Sequence, residues 1–172
     1  MRMNKNQADE NSILLMSHDR IRRSVERMAY QIAEDHPGET PILIAGIKTR
    51  GFAVARLLKG YLEHITASPI HIFSVSNPEN NSNGLRDEYE YIALVDDVIF
   101  SGRTMFKASN KILDQFTPEF LRTVVLVDRG HRLLPVEATF TGLNLPTKLN
   151  EHVQLHLEKN LPERVTLTKQ KS

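Results

Sequence analysis

Tyr91-Ile92-Ala93-Leu94-Val95-Asp96-Asp97-Val98-Ile99-Phe100-Ser101-Gly102-Arg103-Thr104 joins five apolar residues to two adjacent acids, three more apolar residues and a Ser-Gly-Arg-Thr turn. The apolar opening, residues 91–95, reads as a strand buried on both faces, as in a parallel sheet covered by helices. Adjacent carboxylates at the end of such a strand repel each other and resist leaving water. They need hydrogen-bond donors or a cation beside them. Two vicinal sugar hydroxyls supply donors, since an ionised carboxylate only accepts, and a nearby magnesium ion would lower the repulsion further.

The turn that follows has the opposite preference. Ser101-Gly102-Arg103-Thr104 leads into a helix expected from about Arg103 to Phe116. Backbone N–H groups converge at a helix start and favour an anion there. Gly102 lets the backbone double back, while Ser101 and Thr104 add hydroxyl donors. A solvated helix cap would account for a lone Ser-Gly-x-Thr, but not for the whole fourteen-residue run. A diol site followed by a cradle for one phosphate describes a ribose 5-phosphate.

Outward from this stretch, strands and helices alternate. Residues 13–16 form a short edge strand, and Ser17 caps a helix whose apolar face is Ile21, Val25, Met28 and Ile32. His36-Pro37-Gly38 ends it. Residues 41–46 are a second buried strand, and Val54, Leu57, Leu58 and Leu62 mark a helix after the turn 47–51. Residues 70–75 and 121–127 are further strands, with shorter ones expected at 137–140, 153–157 and 165–168. Residues 76–90 read as a long, flexible loop. This alternation predicts an α/β fold, a parallel sheet with helices on both faces. Ligands of such sheets bind beyond the carboxyl ends of the strands.

The 172 residues suit one domain, and 40% apolar content is enough for a real core. A net charge of +1 gives no global pull toward nucleic acid. There is no cysteine, which excludes disulfides and thiolate metal sites. No apolar run approaches the ~20 residues of a membrane span, and the expected location is the cytoplasm.

Gly46-Ile47-Lys48-Thr49-Arg50-Gly51 carries two cations between glycines at the end of the second buried strand. Glycines permit positive φ or a close approach to the backbone. Lys48 and Arg50 suit a pyrophosphate, and the helix expected to begin at Gly51 adds its dipole.

With both loops in place, the chain resembles the type I phosphoribosyltransferases: apolar strand, paired Asp, then Ser-Gly-x-Thr. Together with Val127-Asp128-Arg129-Gly130-His131-Arg132 and Gly142-Leu143-Asn144-Leu145-Pro146-Thr147, it is similar nearly end to end to the bifunctional pyrimidine operon attenuation protein/uracil phosphoribosyltransferase family. The resemblance implies a small hood, drawn from about residues 128–172 and the N-terminal segment. It also implies binding of 5-phosphoribosyl-1-pyrophosphate (PRPP) by Lys48, Thr49, Arg50, Asp96, Asp97, Val98, Ser101, Gly102, Arg103 and Thr104. Asp97 and Arg50 would serve catalysis, and Asp128 and Arg129 the base. Mg²⁺ would act with PRPP near Asp96 and Asp97. Such proteins join uracil to PRPP, giving UMP and pyrophosphate, and form dimers or larger homo-oligomers.

The sequence departs from that family in two places, so two alternatives stay open: a PRPP/UMP-sensing RNA-binding regulator of pyrimidine genes, or a PRPP-binding homologue with altered base specificity. Phe73-Ser74-Val75-Ser76-Asn77 stands where the family carries a Tyr-Arg-Asp-Asp-like run, and Arg86 is the only cation of the Asn-rich loop. Family regulators bind RNA through a basic face. Here Glu26 and Tyr30 leave only Arg22, Arg23 and Arg27 on the first helix, Glu137 replaces a common Arg, and Leu143 a common Lys. Fewer phosphate contacts weaken RNA binding, so RNA is the disfavoured partner. Of the seven histidines, only His131 has a site role by position. His152 and His156 fall on a strand, and a transition-metal site is not expected.

Overall fold

A computed structural model describes residues 12–76, 85 and 88–169. The chain runs β1 (Ser12–Met16), α1 (His18–Asp35), β2 (Ile42–Gly46), α2 (Lys48–Ile65), β3 (Ile70–Ser74), β4 (Tyr91–Ile99), α3 (Arg103–Gln115), β5 (Phe120–Asp128), β6 (Phe140–Asn144), β7 (Glu151–Glu158) and β8 (Leu161–Lys169). Most of the expected loop, Arg86 included, lies outside the described residues.

Five strands form a parallel sheet in the order β3-β2-β4-β5-β6. Its strands are apolar on both faces, and the alternation of side chains sorts them into two cores. Ile42 and Ile44 of β2 and Tyr91, Ala93 and Val95 of β4 meet the buried faces of α1 and α2. Leu43 and Ala45, with Ile92 and Leu94, pack against Met105, Ala108 and Ile112 of α3. Helices thus cover both faces, as the apolar runs require. Ser17 caps α1 by accepting a hydrogen bond from the Arg20 amide at 3.4 Å.

A second sheet, antiparallel β1-β8-β7, brings the first strand against the last hairpin. This is the hood. Its inward residues Val153, Leu155, Val165 and Leu167 join the core on the α1/α2 side.

Two strands differ from expectation. β4 runs on through the acidic pair to Ile99, because β5 continues beside it through the pairs Asp96↔Val125, Val98↔Val127 and Ile99↔Asp128. The acids therefore sit within a strand rather than after one. β6 begins only at Phe140 rather than spanning 137–140. Residues 137 and 139 instead bond to Thr123, through Thr123 Oγ1 to Glu137 O (2.6 Å) and Thr139 N to Thr123 O (2.8 Å).

The buried start of β4 is tied to α1. Asp35 accepts hydrogen bonds from Tyr91 Oη (2.8 Å) and Arg122 Nε (2.6 Å), and the Arg122 guanidinium holds its carboxyl below the usual carboxylate range. Ile44, fully buried in β2, tests the sheet itself. Ile44→Ala should lower unfolding stability by about 2–5 kcal/mol in urea titrations.

Candidate active site

Gly46 of β2 lies in register with Val95 of β4, so whatever follows β2 arrives beside Asp96. The connection is one residue long. The Ile47 amide still bonds to Val95 O at 2.9 Å, and α2 begins at Lys48. Lys48, Thr49 and Arg50 are therefore the exposed first turn of the helix, not a loop before a helix starting at Gly51. The immediate reversal is possible because Lys48 takes the left-handed region (φ 52°), a conformation that costs a non-glycine residue about 1–2 kcal/mol. Its amide donates to Ser76 Oγ at 3.1 Å.

The glycines of this stretch serve packing between backbones rather than positive φ. A Cβ at Gly51 would stand 2.7 Å from Val95 O and 3.0 Å from Asp96 Cα. One at Gly46 would stand 2.5 Å from Phe52 Cα. Without side chains there, the first turn of α2 presses directly on the end of β4.

Asp96 is almost wholly buried at 6% exposure. Its Oδ1 accepts a hydrogen bond from the Asp97 amide at 2.9 Å. Burial pushes its carboxyl up, to about 8, and the neighbouring Asp97 adds to the rise while Lys48 opposes it. The carboxyl that faces α2 is thus primed to gain from a donor or a cation.

Beyond the acids, Gly102 adopts φ 82° at the N-cap of α3 and, as a glycine, offers no capping side chain of its own. The N-terminus of α2 likewise lacks a side-chain cap at Ile47. Both helix starts keep amide groups for an incoming anion.

Lys48, Thr49, Arg50, Asp96, Asp97, Val98 and Thr104 line one cavity of about 650 Å³. Its other wall is the hood: Gln154, Leu155, His156 and Leu157 of β7. Among the described residues β7 is the outer strand of its sheet, with one backbone edge free of a strand partner there. Arg103 lines an adjoining groove of about 320 Å³ with Lys107 and Lys111, sharing Lys48 and Thr104 with the main cavity. Ser101 and Gly102 form the turn beneath, where Ser101 Oγ accepts from the Arg103 amide at 3.4 Å.

Asp128 and Arg129 are placed elsewhere. Asp128 pairs with Arg132 at 2.6 Å and borders a separate depression shared with Arg27 and Gln31 of α1. Arg129 is buried, donates to Thr147 Oγ1 at 2.8 Å and to Glu151 O, and lies over the Phe100 ring at 4.4 Å. His131, in the left-handed region (φ 57°), has its Nε2 2.6 Å from Thr147 O. The histidine that lines the cavity is His156, with Nε2 2.7 Å from Thr166 Oγ1. The strand spacing of His152 and His156 speaks only against a shared metal, not against one of them facing a ligand. Among the described residues no group of three or more His, Asp or Glu is placed to hold a metal ion.

An acidic pair between two helix starts, at the carboxyl edge of a parallel sheet and under a small hood, marks a protein of the phosphoribosyltransferase class. The chain belongs to the phosphoribosyltransferase family: residues 15–159 match the Phosphoribosyl transferase domain. Among curated proteins it is similar to the Bifunctional protein PyrR of Microcystis aeruginosa, 32% identical over 86% of this chain and 91% of that one. The protein of the same name from Corynebacterium diphtheriae is 33% identical, covering 91% of this chain and 92% of its own length. In three dimensions the chain resembles a hypoxanthine-guanine phosphoribosyltransferase from Bacillus anthracis (TM-score 0.69, 21% identity, covering 92% of this chain and 99% of that one). It also resembles the hypoxanthine phosphoribosyltransferase of Trypanosoma cruzi (TM-score 0.68, 20% identity, covering 92% and 97%). The fold is that of the type I phosphoribosyltransferases.

Asp96 gives a pH signature with a definite sign. Its folded value lies above the ordinary aspartate value, so the unfolded chain loses that proton first as pH rises. The ligand-free protein should lose stability from just above the ordinary aspartate range up to about pH 8, then level off. Asp96→Asn should abolish this decline and melt higher than the parent at the alkaline end. Thermal melts across pH check it, and parallel profiles for the two proteins would refute the assignment.

Proposed function

We propose that this protein transfers ribose 5-phosphate from PRPP to uracil, producing UMP and pyrophosphate in a Mg²⁺-dependent reaction. The observation that carries the reading is the single cavity in which Asp96 and Asp97 lie between the starts of α2 and α3. PRPP has a matching order of groups: pyrophosphate, vicinal diol, terminal phosphate.

Lys48, Thr49 and Arg50 at the start of α2 bind the pyrophosphate. Asp96 and Asp97 accept hydrogen bonds from the ribose 2′- and 3′-hydroxyls. Val98, Ser101, Gly102, Arg103 and Thr104, at and before the start of α3, enclose the 5-phosphate. The C1–O bond to pyrophosphate breaks as cationic character grows on the ring, in the manner of glycoside cleavage, and uracil N1 attacks C1 while giving up its proton to the departing pyrophosphate or to water. Lys48 and Arg50 stabilise charge on the departing pyrophosphate, and such electrostatic help is the main lever available. Asp97, half-buried beside the ribose position, supplies polar assistance to the developing cation.

Hard carboxylate oxygens suit magnesium, and a cation beside Asp96 relieves the cost of its burial. With no protein cluster of three ligating side chains among the described residues, the ion fits as part of a metal–PRPP chelate. When bound, it neutralises the leaving group.

The base lies under the hood, against β7. A uracil ring offers carbonyl, N–H and carbonyl groups in sequence, and a strand edge offers alternating donors and acceptors to meet them. Water is excluded by the wall that Leu155 and Leu157 contribute.

RNA binding is the secondary reading, implied by the resemblance to the pyrimidine operon attenuation family. Two of the three arginines it would use are engaged within the chain: Arg22 donates to Tyr61 Oη (3.2 Å) and Arg27 to Thr141 O and Gly142 O (2.9 and 3.0 Å). That keeps it second.

Purified protein with PRPP and Mg²⁺ should form UMP from uracil in preference to nucleotides from hypoxanthine, guanine, orotate or adenine. Turnover with a purine alone would move the base assignment, and no turnover with any base would remove the enzymatic reading. Lys48→Met and Arg50→Met should each lower kcat/KM by about 10²–10³, measured by steady-state kinetics.

A further inference from the structure

The segment from Asp128 to Val136 lines no part of the main cavity, yet its hydrogen bonds converge on the turn before α3. Arg132 donates from NH1 to Phe100 O at 2.9 Å and to Gly130 O at 3.3 Å, and from Nε to Val136 O at 2.8 Å. Its NH2 reaches Asp128 Oδ2 at 2.6 Å. The other Asp128 oxygen accepts from the Gly130 amide at 2.8 Å, so the carboxylate holds both ends of the bend that presents Arg132. Next along the turn, Ser101 O accepts from the amides of Leu133 and Leu134 at 2.9 and 3.2 Å. Gly102, whose positive φ starts α3, faces Val136 Cβ and Arg132 Cδ, the two side-chain atoms nearest to where its own Cβ would lie. Three successive residues, 100 to 102, are therefore held from behind by one short segment.

We infer that Arg132 is a positioning residue that sets the shape of the 100–104 turn and, through it, the affinity of the protein for the 5-phosphate end of its ribosyl substrate. The inference deepens the proposed function and rests on it. A guanidinium suits the task because its fork of donors spans three backbone carbonyls and a carboxylate at once. A lysine keeps the charge and the Asp128 pair but loses the fork. Amide groups at a helix start bind phosphate only when they converge on it, so a turn free to relax loses affinity there. The pyrophosphate end, at the first turn of α2, is built on β2 and β4 and does not depend on Arg132.

Ribose 5-phosphate and magnesium pyrophosphate serve as separate probes of the two ends, with binding followed by calorimetry. Arg132→Lys should weaken ribose 5-phosphate by about tenfold or more and leave pyrophosphate affinity unchanged. In turnover, KM for PRPP should rise more than kcat falls. Free guanidinium added to Arg132→Ala should restore ribose 5-phosphate binding. Arg27→Met, which removes a different set of carbonyl contacts, should lower the melting temperature and move neither affinity. Arg132→Lys binding ribose 5-phosphate as tightly as the parent, or losing both ligands equally, would overturn the inference. A parent protein that binds neither probe would instead overturn the functional reading beneath it.

Discussion

The rest of the site depends on how closely the first turn of α2 approaches the end of β4. Gly51 and the Val95 carbonyl are in contact because nothing projects from Gly51. That contact sets Lys48, Thr49 and Arg50 beside Asp96 and Asp97 along one cavity. It also closes solvent away from Asp96, and that burial raises its carboxyl. The helix cannot stand further off without losing this arrangement, and the strained φ of Lys48 is the local cost of achieving it. Backbone strain held against a neighbouring strand is the kind of feature that persists only where the surroundings enforce it.

Much of this could be read from the chain. The two-sided apolar runs at 42–46 and 91–95 imply buried parallel strands, and their pairing puts Gly46 beside Val95. The acidic pair and the Ser-Gly-Arg-Thr turn fall at the sheet's carboxyl edge, as the rule for open sheets requires. What could not be read depends on contacts between distant parts of the chain. β4 is extended past its acids by β5, which no local pattern announces. The left-handed turn lies on Lys48 rather than on either glycine, since only the packing of Gly46 and Gly51 reveals that both are needed for something else.

The hood was the least legible part. Its strands come from both ends of the chain, and its cavity wall is β7 rather than the Asp128 segment. Asp128, Arg129 and His131 look like ligand-facing residues because they are polar and follow a buried strand. Their side chains turn instead to Arg132, Thr147, Glu151 and Phe100. His156 reaches the cavity because β7 alternates, sending Val153 and Leu155 to the core. A two-residue period fixes which residues share a face but not which face meets the sheet opposite.

The antiparallel sheet has a consequence for how the molecule comes into being. β8, the final strand, lies in the middle, with β1 on one side and β7 on the other. Among the described strands, β1 must wait for β8 before it has a neighbour in this sheet. Until then β7 too waits for β8, its partner among the described strands, and the cavity stands without a roof. Contacts this far apart in sequence form late and slowly. The nascent chain therefore completes its floor, with the acids and both helix starts, before it can retain anything bound there.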